Sequence, residues 1–197
     1  IENIQYLTHG KRGNIFTGLW NKNIHNKKII TKKLVKVAIK TKRKESQAHN
    51  RIENEVNWLK VLNNYDLGPK LLFSGKNYFV YKFVEGEFIL DWIKKNNQKN
   101  VIATLIKIIK QCFILDQLGI NKEEMHHPQK HILVSDRVVL LDFERVSRTE
   151  KPKNVTQFVE FLVRFKFIKR EIVLPLLKKY KKDLSKKNLE KIIKALS

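Results

Sequence analysis

The 197 residues include one cysteine, one methionine, four prolines and seven glycines. A single cysteine, Cys112, excludes a disulfide within the chain and any CxxC zinc site. So little proline and glycine leaves no Pro/Gly-rich linker, and no internal repeat is visible. Acidic residues are short as well: 19 Asp and Glu stand against 41 Lys and Arg, a net charge of +22. No apolar run approaches the roughly 20 residues that cross a bilayer, and Ile1-Glu2-Asn3-Ile4 lacks the layout of a signal peptide. The expectation is a soluble, cytoplasmic protein with no membrane partner.

The 42% apolar content supports a core, which excludes a disordered basic tail. The length suits one medium domain or two small lobes sharing a cleft. A positive field of this size attracts polyanions, either nucleic acid (RNA or a ribonucleoprotein among them) or an anionic membrane surface, and also nucleotides. A solvated Lys-rich surface yields the same charge count, so charge alone assigns no function.

The most ordered stretch runs from His131 to Glu144. It reads as a buried strand (His131 to Val134), a polar turn at Ser135-Asp136-Arg137, and a second buried strand (Val138 to Leu141). Asp142 stands where that hairpin stops, a fixed position suited to a metal ligand. Upstream, Gly10-Lys11-Arg12-Gly13 precedes an apolar strand and could bring backbone N–H groups to phosphate oxygens. Leu34 to Lys40 alternates as a strand, with Lys40 opposite Val37 and Ile39.

In the segment Ser46 to Leu62, the positions Ile52, Val56, Leu59 and Leu62 describe an amphipathic helix with Glu55 beside its apolar stripe. A carboxylate there needs a cation, and Lys40 is the candidate. Lys70 to Ser74 and Tyr78 to Val84 form a second hairpin. Beyond Glu85 the texture turns helical: Ile89 to Lys95, Val101 to Leu118, Val155 to Arg170, and a Lys-rich helix from Glu171 to Ser197 with Pro175 in its first turn. Arg145 to Asn154 reads as a short basic loop. Cys112 lies among Ile108, Ile109, Phe113 and Leu115 and reads as core.

The order of these parts resembles a protein kinase over about residues 5 to 165. Gly10-x-x-Gly13 is similar to the end of a glycine-rich loop, and Val37-Ala38-Ile39-Lys40 to the third-strand lysine motif. Glu55 resembles the helix-C glutamate, and Tyr81-Lys82-Phe83-Val84-Glu85-Gly86 the hinge. Leu115 to Ile120 is similar to the end of the long helix before the catalytic loop. His131-Ile132-Leu133-Val134 resembles Asn-Ile-Leu-Val, and Leu141-Asp142-Phe143-Glu144 the DFG segment. The short stretch after Asp142 is closest to minimal atypical kinases of the RIO and KEOPS-kinase type and to archaeal predicted Ser/Thr kinases.

The resemblance implies a two-lobed α+β fold, with a β-rich N-terminal lobe over 1–84 and a reduced helical lobe over 85–197. It implies ATP and Mg²⁺ (or Mn²⁺) as cofactors, and an unidentified protein substrate for an atypical Ser/Thr kinase or ATPase. Nucleotide would sit between the lobes. Lys40, held by Glu55, would meet the α/β phosphates, Gly10 and Gly13 would approach them, and Asp142 would hold the metal. The backbone of Lys82, Phe83 and Val84 would meet adenine.

The catalytic loop departs from the family. Glu124-Met125-His126-His127-Pro128-Gln129-Lys130-His131 contains no Asp. His126 occupies the position of the base, and histidine titrates near neutrality. Glu124 or Glu123 is the alternative. His131 replaces the Asn that would be the second metal ligand, a nitrogen where Mg²⁺ prefers oxygen. The third reading is a pseudokinase-like, nucleotide-binding scaffold associated with RNA or ribonucleoprotein.

Overall fold

A computed structural model describes residues 1–9, 13–26, 29–42 and 51–196, with side chains left aside at 22–26 and 29–33. Gly10 therefore lies outside the described residues. The chain is mixed α and β, and it divides into two compact units, Ile1–Glu85 and Gly86–Ser197.

Among its described residues the first unit has an antiparallel sheet of five strands, one α-helix and a short 3-10 turn at Asn63–Tyr65. Its strands are β1 (Glu2–His9), β2 (Gly13–Asn26), β3 (Ile29–Lys42), β4 (Leu71–Gly75) and β5 (Tyr78–Lys82), in the spatial order β1-β2-β3-β5-β4. β2 and β3 pair along their whole length, from Gly13 opposite Lys42 to Asn26 opposite Ile29. Of β3, only Val37 to Thr41 pair with β5, whose other edge pairs with β4. The sequence reading began the strand at Leu34 and assigned no strand to Glu2–His9. Asn and Lys, which strands disfavour, hide both from a propensity reading.

Strand alternation sorts the two faces of this sheet. Val37 and Ile39 are buried with Val80, and Phe16, Trp20, Val35, Leu72 and Phe73 pack against them. Ala38 and Lys40 point the other way, toward the face covered by the helix α1 (Arg51–Leu62). That helix buries Glu55, Val56, Leu59 and Leu62. Asn63 then locks its exit: its amide donates to the carbonyls of Leu67 and Pro69, and its Oδ1 accepts from Leu71 N–H.

The second unit opens with β6 (Glu87–Phe88) and α2 (Ile89–Lys95), followed by the long helix α3 (Gln98–Gln117). Asn97 caps α3 by accepting from Asn100 N–H at 2.9 Å. Gly119, at φ +64°, ends it in the left-handed conformation that a side chain would strain. Then come β7 (Ile120–Asn121), β8 (Ile132–Val134), β9 (Val138–Leu140) and β10 (Ser147–Arg148). β8 and β9 pair in register, Ile132 with Leu140 and Val134 with Val138, and β6 pairs with β8. The segment read as a basic loop contains β10, which pairs with β7.

Three helices close the unit: α4 (Asn154–Arg164), α5 (Arg170–Lys182) and α6 (Lys186–Lys194). Two sequence expectations change here. α4 stops at Arg164, because Lys166 turns left-handed at φ 60°. The Lys-rich helix is two helices, separated at Asp183–Ser185, where Ser185 caps α6 through Asn188 N–H. Pro175 consequently lies inside α5, past its first turn.

One buried acid holds several of these parts in place. Asp116 on α3 accepts from the backbone N–H groups of Asn154 and Val155, from Asn154 Nδ2, and from Tyr180 Oη. It thereby satisfies the open first turn of α4, which has no capping side chain of its own. Burial pushes its carboxyl above the usual carboxylate range and pushes the Tyr180 phenol up as well. Cys112 is fully buried, and burial raises its thiol far above the ordinary value, which makes it a core residue rather than a nucleophile.

Candidate functional site

In the first unit, Lys40 Nζ donates to Glu55 Oε2 at 2.6 Å, with side-chain exposures of 14% and 5%. β3 sets the lysine's direction, and α1 turns its carboxylate toward the sheet. Such a pair is held against a desolvation penalty that its attraction barely offsets.

Gly13 has a local reason to be glycine. A Cβ there would meet the Thr41 carbonyl oxygen at 2.8 Å, so its closeness to β3 alone requires the absence of a side chain. The amides of the hinge segment are partly committed: Lys82 N–H donates to Lys70 O and Phe83 N–H to Lys36 O. Neither of those two donors is open to a base. Lys36 also sits over the Phe83 ring at 4.4 Å and meets Glu85 at 2.9 Å. Val84 is half-buried.

In the second unit, the hairpin delivers Asp142 half-exposed at its end, and Leu141 N–H donates back to His131 O. His131 stands between two carboxylates. Its Nε2 is 3.0 Å from Glu124 Oε2, and its Nδ1 is 4.0 Å from Asp142 Oδ2. Both acids hold left-handed backbone, Glu124 at φ 72° and Asp142 at φ 61°. Glu124 also receives Arg145 Nη1 at 3.2 Å.

His126 is placed differently. Its ring packs on that of His127 with centroids 4.5 Å apart, and its carbonyl accepts from Arg164 Nη1. Arg164 also meets His127 Nδ1 at 2.9 Å. Burial, then the Arg164 and His126 charges, hold the His127 imidazole below its ordinary value.

Two residues here escaped the sequence reading. Lys122 is buried, with 2% exposure; its Nζ donates to Asp142 O at 2.7 Å and lies 5.1 Å from the Phe143 ring centre. Its N–H donates to Asn154 Oδ1, so the Asp116 network also fixes this lysine. A lone lysine after an Ile-Asn pair carries no signal of burial. Glu144 has no role in the sequence reading beyond its place in the DFG-like segment, yet its carboxylate and that of Asp142 offer oxygens within 4.8 Å of each other. The spacing Asp-x-Glu was the available clue.

Two oxygen donors at that separation fit a hard divalent cation such as Mg²⁺ or Mn²⁺, whereas a His131 nitrogen suits Mg²⁺ poorly. No helix among the described residues is long and apolar enough to cross a membrane. No protein-family model matches this sequence, and no curated protein is detectably similar to it.

Proposed function

We propose that the chain is an ATP-dependent phosphotransferase of the atypical kinase-like kind, with a two-lobed kinase-like fold, working as a Ser/Thr-type kinase or an ATPase. The observation that carries this reading is the Lys40–Glu55 pair, buried in the first unit. A desolvated ion pair adds little to stability, but it fixes an ammonium in direction, as a phosphate-binding lysine requires. Asp142 and Glu144 in the second unit supply the oxygens for a divalent cation.

Each residue then has a task. Lys40 binds phosphate oxygens, and Glu55 keeps its ammonium in place. Asp142 and Glu144 would hold a divalent cation, which would supply charge neutralisation at the phosphates. The acceptor oxygen attacks the γ-phosphorus, the bond to the β–γ bridging oxygen breaks, and ADP leaves. Glu124 takes the proton of the attacking hydroxyl or water, oriented by His131 and Arg145. His126, packed at a tilt against His127, has no such link to Asp142 among the described contacts, so Glu124 is preferred as base.

A second reading, a nucleotide-binding scaffold without transfer, is favoured by the segment Glu124 to His131, which contains no Asp to serve as base. ATP turnover with Mg²⁺ or Mn²⁺, compared between wild type and Asp142→Ala, separates the two. Turnover that vanishes in the variant supports transfer. Nucleotide binding without turnover in wild type supports the scaffold, and no binding at all ends both.

A further inference from the structure

A cleft of about 880 Å³ opens beside Glu124 within the second unit. Arg145, Arg148, Lys151 and Lys153 line it with His126 and His127; the acids Glu123 and Glu124 also line it and pair with Arg145, which leaves Arg148, Lys151 and Lys153 as its exposed cations. Among its described lining residues none is aliphatic or a phenyl ring. The basic strip is braced by backbone: Ser147 and Arg148 pair with Asn121 and Ile120, and Thr149 N–H donates to Gly119 O at 2.8 Å. Lys153 N–H donates to Asn121 Oδ1. The cations thus project from a fixed ribbon.

A groove for a protein segment offers apolar pockets for side chains, and this one has none. A sugar–phosphate backbone needs what is present, cations and hydrogen-bond donors along a track. The His126 and His127 rings, 4.5 Å apart and tilted at 59°, line the cleft, and either ring offers one face to a base. The net charge of +22 would draw a polyanion toward it. We propose that this cleft binds a single strand of nucleic acid through its phosphates. This goes beyond the phosphotransfer reading and does not depend on it.

The test is anisotropy of a labelled oligouridylate, without ATP, across a salt series. Wild type is expected to bind at about 100 mM salt. The triple variant Arg148→Ala/Lys151→Ala/Lys153→Ala, all exposed side chains, should weaken binding at least about tenfold and flatten the log–log salt slope by about two. A control on α5, Lys178→Ala/Lys179→Ala/Lys182→Ala, should change affinity less than about threefold. Circular dichroism of both variants confirms folding. The proposal is overturned if wild type fails to bind, if the α5 variant carries the loss or shares it equally, or if polyglutamate competes as well as the oligonucleotide. Asp142-dependent ATP turnover in a protein that binds no strand would leave the phosphotransfer reading intact; strand binding without turnover would uphold this inference and remove the phosphotransfer reading.

Discussion

The Nε2 of His131 lies 3.0 Å from Glu124 Oε2, a contact that fixes the direction of that carboxylate. Glu124→Gln should therefore cut ATP turnover by about 10²-fold or more, with nucleotide affinity held. His126→Ala should cost less than about tenfold. Steady-state kinetics with direct nucleotide binding decide it: a larger loss for His126→Ala moves the base to that residue.

Lys40 and Glu55 allow structure and chemistry to be separated. Lys40→Met leaves a buried carboxylate facing an apolar neighbour and should destabilise by about 3 kcal/mol. The double variant Lys40→Met/Glu55→Leu should regain most of that stability in urea unfolding while turnover stays lost. Recovery of turnover in the double variant would reduce the pair to a structural contact.

Tyr180→Phe removes one donor from Asp116, which is 2% exposed. A loss of about 1–2 kcal/mol is expected. The pH dependence follows from the raised Asp116 carboxyl. The folded chain binds this proton more tightly than the unfolded chain, so its contribution is fully present below the ordinary carboxylate range. It is lost as pH rises through the raised value. The stability of wild type relative to Asp116→Asn should therefore grow as pH falls from 7 through that window. A relative stability that instead falls on acidification refutes the assignment.

His127 should titrate below an ordinary histidine, because burial and then the Arg164 and His126 charges disfavour its imidazolium. Arg164→Gln should move its midpoint upward in an NMR titration. An unmoved midpoint would leave Arg164 without influence on the ring.

Much of this arrangement is local, and local patterns are legible. The β-branched runs around Ser135-Asp136-Arg137 specify the hairpin, and the apolar stripe of α1 puts Glu55 on the face turned to the sheet. The parts that escaped depend on distant partners. The two-residue pairing of β7 with β10 is backbone hydrogen bonding and leaves no mark on composition. The burial of Lys122 depends on Asp142 O and Phe143, far along the chain. The break between α5 and α6 was masked by lysines on both sides, though Ser185 before Asn188 was a capping signal.

The left-handed backbone at Glu124 and Asp142 sets folding against chemistry. An L-residue with a side chain sits there at a cost of about 1–2 kcal/mol, smaller for Asp than for Glu. Glycine would sit there without it. Each acid is thus one substitution away from a sturdier and chemically silent chain. Laboratory selection for heat resistance alone should find Glu124→Gly and Asp142→Gly early, and the survivors should melt higher while losing turnover.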